Sequence, residues 1–395
     1  MPILRIEEPR KLAAPGFALW ALGFRPFYLL GAAYAAISAL LWGLQYAGLL
    51  PFHALPGPTA HGHEMIFGFA LAIVSGFLLT AVRNWTSQPT PSGGALAALV
   101  GLWVAGRVLM YTPFDTAAGV VNVAFPLAMA VAIARPLVRA KNRRNYFFVA
   151  LLCGAAAASA AVHLTARGLI ASPPGLGLRV GLDLMLFIVA VVAGRVIPMF
   201  TNNGVPGAGA TRAEPLEKAA LAAVLAVLAL DALQAPAIVI AGVTAMAAVA
   251  HAARLALWRP WRTLGNPLVW VLHAAYAWIP IHLLLRTLAA QGLVIEPLAT
   301  HALTIGVIGG MTIGMMTRTA RGHTGRVLRA DRWEVACYAL VQLAALARVA
   351  GGLLLPTQYV ATVEAAAGFW SLAFAIYFVR YWPVLTRSRV DGKPG

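Results

Sequence analysis

The sequence predicts an all-α protein, a polytopic integral membrane helical bundle with about twelve transmembrane helices. Three observations predict it. Of the 395 residues, 61% are hydrophobic and only 11% are charged, against about 25% charged in an ordinary soluble domain. The mean hydropathy is +0.78, too apolar for a soluble chain of this length to cover its core with polar surface. The apolar residues also fall in runs of membrane-crossing length, since about 20 helical residues span about 30 Å of hydrocarbon. Composition thus excludes a soluble enzyme, a disordered chain and a nucleic-acid-binding domain. Strand alternation is absent, and the runs are too long and uniform for barrel strands.

The runs cover residues 27–49, 63–82, 94–112, 117–134, 145–167, 179–200, 216–232, 235–255, 267–289, 298–317, 333–354 and 359–382. The first is no cleavable signal, being too long and lacking a small-residue cleavage site. Every connection is short. The chain therefore divides into a cytoplasmic N-terminal segment 1–26, a bundle 27–383 and a cytoplasmic tail 384–395. Cys153 and Cys337 lie in apolar runs and form neither a disulfide framework nor a thiolate metal motif.

Basic residues orient the bundle. With twelve spans both termini share a side. The connections on that side hold 23 of the 30 lysines and arginines, including Arg135, Arg139, Arg143, Arg144, Arg318, Arg321, Arg326 and Arg329, while the opposite ends hold Arg167, Arg179 and Arg286. Both termini are expected in the cytoplasm, with the chain multi-pass in the membrane. The isoelectric point of about 10.9 then reflects topology and attraction to anionic membrane lipid. Glu64, Asp115, Asp183, Asp231, Glu296 and Glu364 fall at or near the outer ends.

Taken in order, six runs carry residues that a bilayer disfavours. The second opens with His61-Gly62-His63-Glu64 and has a small-residue seam at Gly68, Ala72 and Gly76; Glu64 leads that seam as a candidate proton carrier or salt-bridge partner. Arg107 sits in the outer third of the third run. Asp183 and Arg195 lie in the sixth. The ninth holds His273, Tyr276 and Pro280, where proline removes a backbone hydrogen bond and crowds the Tyr276 carbonyl. The tenth opens with His301. At 100° per residue, Thr304, Met311, Thr312, Met315 and Thr319 share the His301 face, and Gly306, Gly310 and Gly314 form the opposite one. The eleventh carries Arg348.

Charges at such depth cost about 2.5–3.5 kcal/mol each on insertion scales. Arg107 and Arg348 therefore call for ion pairs, snorkelling or a buried anionic partner, either a carboxylate such as Glu64 or Asp183 or the propionates of a haem. Neutral imidazole is a common ligand of haem iron and copper. A single membrane histidine is commonly a packing residue. His63 and His301 open helices running in the same direction, so they stand at matched depth, and with His61 and nearby His282 they point toward a metal site. His273 is a third candidate, and Met315 a soft one for Cu(I) or iron. Helices 2–3 and 10–11 echo each other weakly, with His63 followed by Arg107 and His301 by Arg348.

Several motifs together resemble the NnrS family. They are Gly23-Phe24-Arg25-Pro26-Phe27, His61-Gly-His63-Glu64-Met65-Ile66-Phe67-Gly68-Phe69, Gly76 through Trp85, Ala193-Gly194-Arg195-Val196-Ile197-Pro198-Met199-Phe200-Thr201, His301 through Arg318, and Gly322-His323-Thr324-Gly325-Arg326. The likeness covers nearly the whole chain. His61, His63, His273, His301 and His323 match histidine positions of the family pattern, whereas His53 and His282 fall outside it. The resemblance implies a polytopic inner-membrane protein of the nitric oxide response containing haem b and copper. NO is small, neutral and soluble in a bilayer. Reducing it to N2O requires two electrons, two protons and a metal centre, with a quinol or cytochrome as the unidentified electron donor. The expected roles are His63, His301 and His273 with Arg107 and Arg348 around haem, His61, His63, His301, His273 and Met315 toward metal, and Glu64 as proton carrier.

Two readings compete. Twelve spans and repeated small-residue seams also suit a transporter of copper, haem or a related small substrate. A membrane NO sensor would signal through the basic loops 135–144 and 318–332, but the chain has no signalling domain.

Overall fold

The computed structural model describes residues 16–50, 55 and 57–393. His53 lies outside the described residues, as do Arg5, Arg10 and Lys11. The described residues fold into twelve long helical segments: α1 (Phe24–Tyr46), α2 (Gly57–Thr86), α3 (Gly93–Leu109), α4 (Asp115–Arg139), α5 (Phe147–Ala166), α6 (Leu176–Gly204), α7 (Glu214–Ala232), α8 (Ala237–Leu257), α9 (Pro267–Ala290), α10 (Glu296–His323), α11 (Arg332–Leu354) and α12 (Tyr359–Thr386). Each coincides with one of the twelve apolar runs. Among the described residues the sole β feature is an isolated antiparallel bridge between Phe17 and Arg387.

Ten of these segments are long and apolar enough to cross a membrane, which makes this a multi-pass membrane protein. The other two depart for identifiable reasons. α3 has only 17 residues. α7 carries Glu214, Glu217, Lys218 and Asp231, yet Glu217 and Asp231 are buried. Glu217 meets Arg254 at 2.6 Å and Asp231 meets Arg286 at 2.7 Å. Charge that lowers the hydropathy of α7 is thus neutralised inside the bundle, where an unpaired carboxylate would cost several kcal/mol.

α1 lies along α12, α8 along α9, α4 along α5, and α9 against α10. The most enclosed segments are α2, α10, α6 and α9, the same ones that hold most candidate histidines. Glycines let these cores approach. A Cβ on Gly306 would stand 2.3 Å from Trp278 Cγ, and one on Gly310 would stand 2.7 Å from Ala275 Cβ. The glycine face of α10 therefore seats α9. On α2, a Cβ at Gly76 would meet Phe27 Cβ at 2.8 Å, and one at Gly68 would meet Arg107 Nη1 at 2.2 Å. Gly76 admits α1, and Gly68 makes room for a guanidinium.

Three π-helical stretches interrupt the α-helical register: Glu64–Ala70 in α2, Ala302–Gly309 in α10 and Ala347–Gly351 in α11. Each begins at or beside a candidate residue, Glu64, His301 or Arg348. A π-turn inserts one extra residue, which advances the helix by about 100°. The expected single face from His301 through Met311 and Met315 assumed an uninterrupted 3.6-residue period. The insertion at 302–309 breaks that phase, and the face is not continuous.

The two ends of the described chain meet. Ala18 N–H donates to Thr386 O at 2.7 Å and Ser388 N–H to Gly16 O at 3.2 Å. Arg25 Nη1 adds bonds to the carbonyls of Leu385 (2.9 Å) and Arg387 (2.8 Å). Both described ends thus lie at one end of the bundle, as an even number of helices requires.

Candidate functional site

His61 and His63 sit two residues apart on α2, so their side chains leave the helix about 200° apart. They enter different surroundings. His63 turns toward α5, fully buried. His61 turns toward α1, where its ring stacks on Trp42 at 4.5 Å and 18°.

The His63 side is a closed polar network. Glu64 accepts from Arg107 Nη1 at 2.6 Å, from His63 Nδ1 at 2.9 Å and from the hydroxyl of Tyr34. Arg107 also donates to Asn122 Oδ1, and Asn122 donates to the Ala118 carbonyl at 2.8 Å. Because a carboxylate only accepts, Nδ1 of His63 carries a proton and Nε2 presents its lone pair. That nitrogen faces Ser159 Oγ at 3.2 Å and His163 Nε2 at 3.1 Å. Four helices (α2, α3, α4, α5) and α1 contribute. Arg107 thus finds its anion within the protein, and both ring nitrogens of His63 are engaged.

The His61 side is differently built. His301 Nδ1 donates to the Pro297 carbonyl at 2.7 Å, which leaves Nε2 with its lone pair. His61 and Arg348 lie within electrostatic reach of His301. Arg348 is buried. Its Nη2 donates to Tyr359 Oη at 2.6 Å and its guanidinium lies 4.6 Å over that ring, while its buried Nη1 has no partner. Two imidazoles from separate helices and an arginine with a spare N–H are brought together here.

A small cavity of about 20 Å³ borders His61 and Glu64, with Ser38, Trp42 and Tyr111 among its other walls. That is room for a water or a diatomic molecule. Glu64 is common to the cavity and to the His63 network.

The remaining candidates stand apart. His273 is buried on α9 with Nε2 2.8 Å from Thr201 Oγ1. Met315 lies fourteen residues beyond His301 on α10, about 20 Å along the axis, so the two do not share a centre. His282 donates through Nδ1 to the Ala299 carbonyl at 2.7 Å. His323 packs on the Phe24 ring at 5.6 Å. Asp183 pairs with Arg286. Arg195 bonds Asn145 at 2.8 Å and faces the rings of Trp85, Phe147 and Phe148.

The partners Tyr34, Asn122, Ser159, His163, Trp42 and Tyr359 were missing from the sequence-based site. Of these, only His163, an imidazole near the outer end of the fifth apolar run, has a chemical signature visible in the sequence. Among the described residues no group of three or more His, Cys, Asp or Glu side chains is placed to hold a metal ion. The protein offers two imidazoles at the His61–His301 position. That set is short for a bare copper ion. It suits haem iron, whose porphyrin brings four nitrogens of its own, and the unpartnered Nη1 of Arg348 suits a propionate.

The fold and this geometry define a polytopic helical membrane protein with a buried polar network around His63 and a half-buried pair of imidazoles, His61 and His301. The NnrS protein family matches residues 18–389, and the chain belongs to that family. Membership supports a membrane protein of the nitric oxide response. No curated protein matches the chain.

Proposed function

We propose that this protein lies in the bacterial inner membrane with both termini cytoplasmic, holds haem b near the periplasmic end, and removes nitric oxide by reducing two NO to N2O and water with two electrons and two protons. The observation that carries the reading is the His61–His301–Arg348 group in a chain of this family. Bound haem would supply a redox-active iron that binds NO. The orientation rests on the excess of Lys and Arg in the connections at the end where residues 16–18 meet 386–388. Electrons come from a quinol or cytochrome, and NO arrives through the lipid. Copper, also implied by the family, lacks a three-residue ligand set among the described residues, and no role is assigned to it.

The chain's own residues would act as follows. His301, oriented by the Pro297 carbonyl, and His61 would hold iron through their ring nitrogens, and His61, which borders the cavity, would give up its place to NO. Arg348 would hold a propionate, steadied by Tyr359. Glu64 would deliver protons to the cavity. A proton reaching His63 Nε2 from the His163 side allows the Nδ1 proton to pass to Glu64, which borders the cavity. Arg107 and Asn122 hold the carboxylate in place.

A pyridine haemochrome spectrum of the purified protein, with the Soret shift on adding NO, tests the reading. One b-type haem per chain is expected, lost in His301→Ala and His61→Ala and kept in His63→Ala. Absence of haem, or normal haem in both of the first two variants, would overturn it. A haem-free protein that carries substrate across liposomes would favour the transporter reading instead.

A further inference from the structure

A second buried polar group lies where α6, α7, α9 and α10 meet. Asp183 (α6) and Asp231 (α7) are buried, at 1% and 3% exposure, and both carboxyl groups face the same guanidinium nitrogen, Arg286 Nη1. One cation faces them closely. Arg286 gives its fork to Asp231, Nη1 to Oδ2 at 2.7 Å and Nη2 to Oδ1 at 2.8 Å. It reaches Asp183 Oδ1 only at 3.5 Å. Arg179 is 4.0 Å from Asp231 but spends its charge on Glu296 at 2.7 Å, at the solvent-facing rim.

Two acids against one guanidinium leave the buried group one positive charge short. Two buried carboxylates sharing one guanidinium nitrogen do not both stay ionised in such surroundings. Two acceptors there are also unsatisfied. Asp183 Oδ2 is buried without a partner, and so is His282 Nε2. His282 stands one turn before Arg286 on the same face of α9, within electrostatic reach of Arg286 and Asp231. Its Nδ1–H is committed to the Ala299 carbonyl, so Nε2 offers only a lone pair.

We propose that Asp183, paired with Asp231 beside Arg286 and His282, is a proton-binding site that holds one exchangeable proton. The proton sits on the Asp183 carboxyl and restores charge balance. It exchanges with water along Asp231 and the Arg179–Glu296 rim, with His282 Nε2 as the neighbouring acceptor. Only O–H and N–H bonds form or break. The site does not depend on haem, so haem-free protein serves equally for the test.

Infrared difference spectra of the purified full-length protein at neutral pH, in H2O and D2O, read the proton directly. One deuterium-sensitive band of a protonated carboxyl group is expected. It should vanish in Asp183→Asn, where the amide mimics the neutral acid, and persist in Glu64→Gln. It should also vanish in Asp231→Asn, which balances the charge by leaving Asp183 alone with Arg286. Asp183→Asn should melt within a few degrees of the parent, and Asp231→Asn well below it, because Arg286 loses its bidentate partner. A band surviving Asp183→Asn, equal losses of melting temperature in the two variants, or stabilisation by sodium at fixed ionic strength without any such band would overturn the proposal.

Discussion

His63 and His163, from α2 and α5, meet Nε2 to Nε2 at 3.1 Å. Two neutral imidazoles in that contact share one proton, and the Glu64 carboxylate on the far side of His63 fixes which nitrogen already holds one. Replacing His163 with leucine should leave haem content unchanged and slow NO consumption by roughly 10²-fold, the ordinary scale of a lost proton-transfer group. Stopped-flow NO consumption beside the Soret absorbance checks this; lost haem with normal turnover per haem would exclude the relay.

Arg107 is the sole guanidinium bonded to Glu64 among the described residues. Arg107→Ala leaves that carboxylate buried with its charge uncompensated, a change expected to cost about 3–5 kcal/mol. Adding Glu64→Gln to the variant should recover much of the loss. Thermal unfolding in detergent of both single variants and the double one measures the coupling.

Gly306 on α10 makes room for the Trp278 side chain of α9. A Cβ there would lie 2.3 Å from Trp278 Cγ, and the indole is already tied to Gln342 Oε1 at 2.9 Å. Gly306→Ala should cost about 1–3 kcal/mol by overpacking. Gly242, whose added Cβ would meet nothing within 4 Å, should accept alanine with no loss. Equal melting temperatures for the two variants would sink the seam argument.

Asp331 caps α11 outside the membrane-spanning segments. It accepts from the backbone N–H of Trp333 at 2.9 Å and of Glu334 at 3.2 Å, while Glu334 returns a bond to the Asp331 N–H at 2.7 Å. Burial raises the pKa of its carboxyl, but the two backbone donors and Arg380 outweigh that and hold it below the usual range. A lowered folded-state value means that the cap stabilises above the unfolded value of about 3.9 and is lost as pH falls through the folded one. Asp331→Ala should therefore cost about 1 kcal/mol at pH 7, with the difference from the parent closing below about pH 4. Melting curves across that range check it.

Much of the bundle was legible because its signal is collective. Twelve long apolar runs, each bounded by charge or turn residues, survive errors of several residues at every boundary. The glycine stripe of α10 was legible for the same reason, because three glycines at four-residue spacing imply a close neighbour whatever its identity. The site was only partly legible. Matched depth put His301 beside the start of α2, yet depth does not distinguish His61 from His63; the helix turns about 200° between them, and only packing shows which faces Trp42 and which faces His163. Arg107 was recognised as needing an anion, but the sequence left haem and Glu64 as rivals, and contact at 2.6 Å favours Glu64. The π-turns left no trace in the apolar pattern, since one inserted residue changes no composition, and so the face drawn through Met315 failed. Tyr34, Asn122 and Ser159 are ordinary residues made important by neighbours distant in sequence.

The rungs joining residues 16–18 to 386–388 close the polypeptide into a ring in space. Fraying of α12 from its last turn must also strip the strand-like lead into α1, and the reverse holds equally. Neither flank peels off independently, so the first and last helices should exchange their amide hydrogens together, as one cooperative unit.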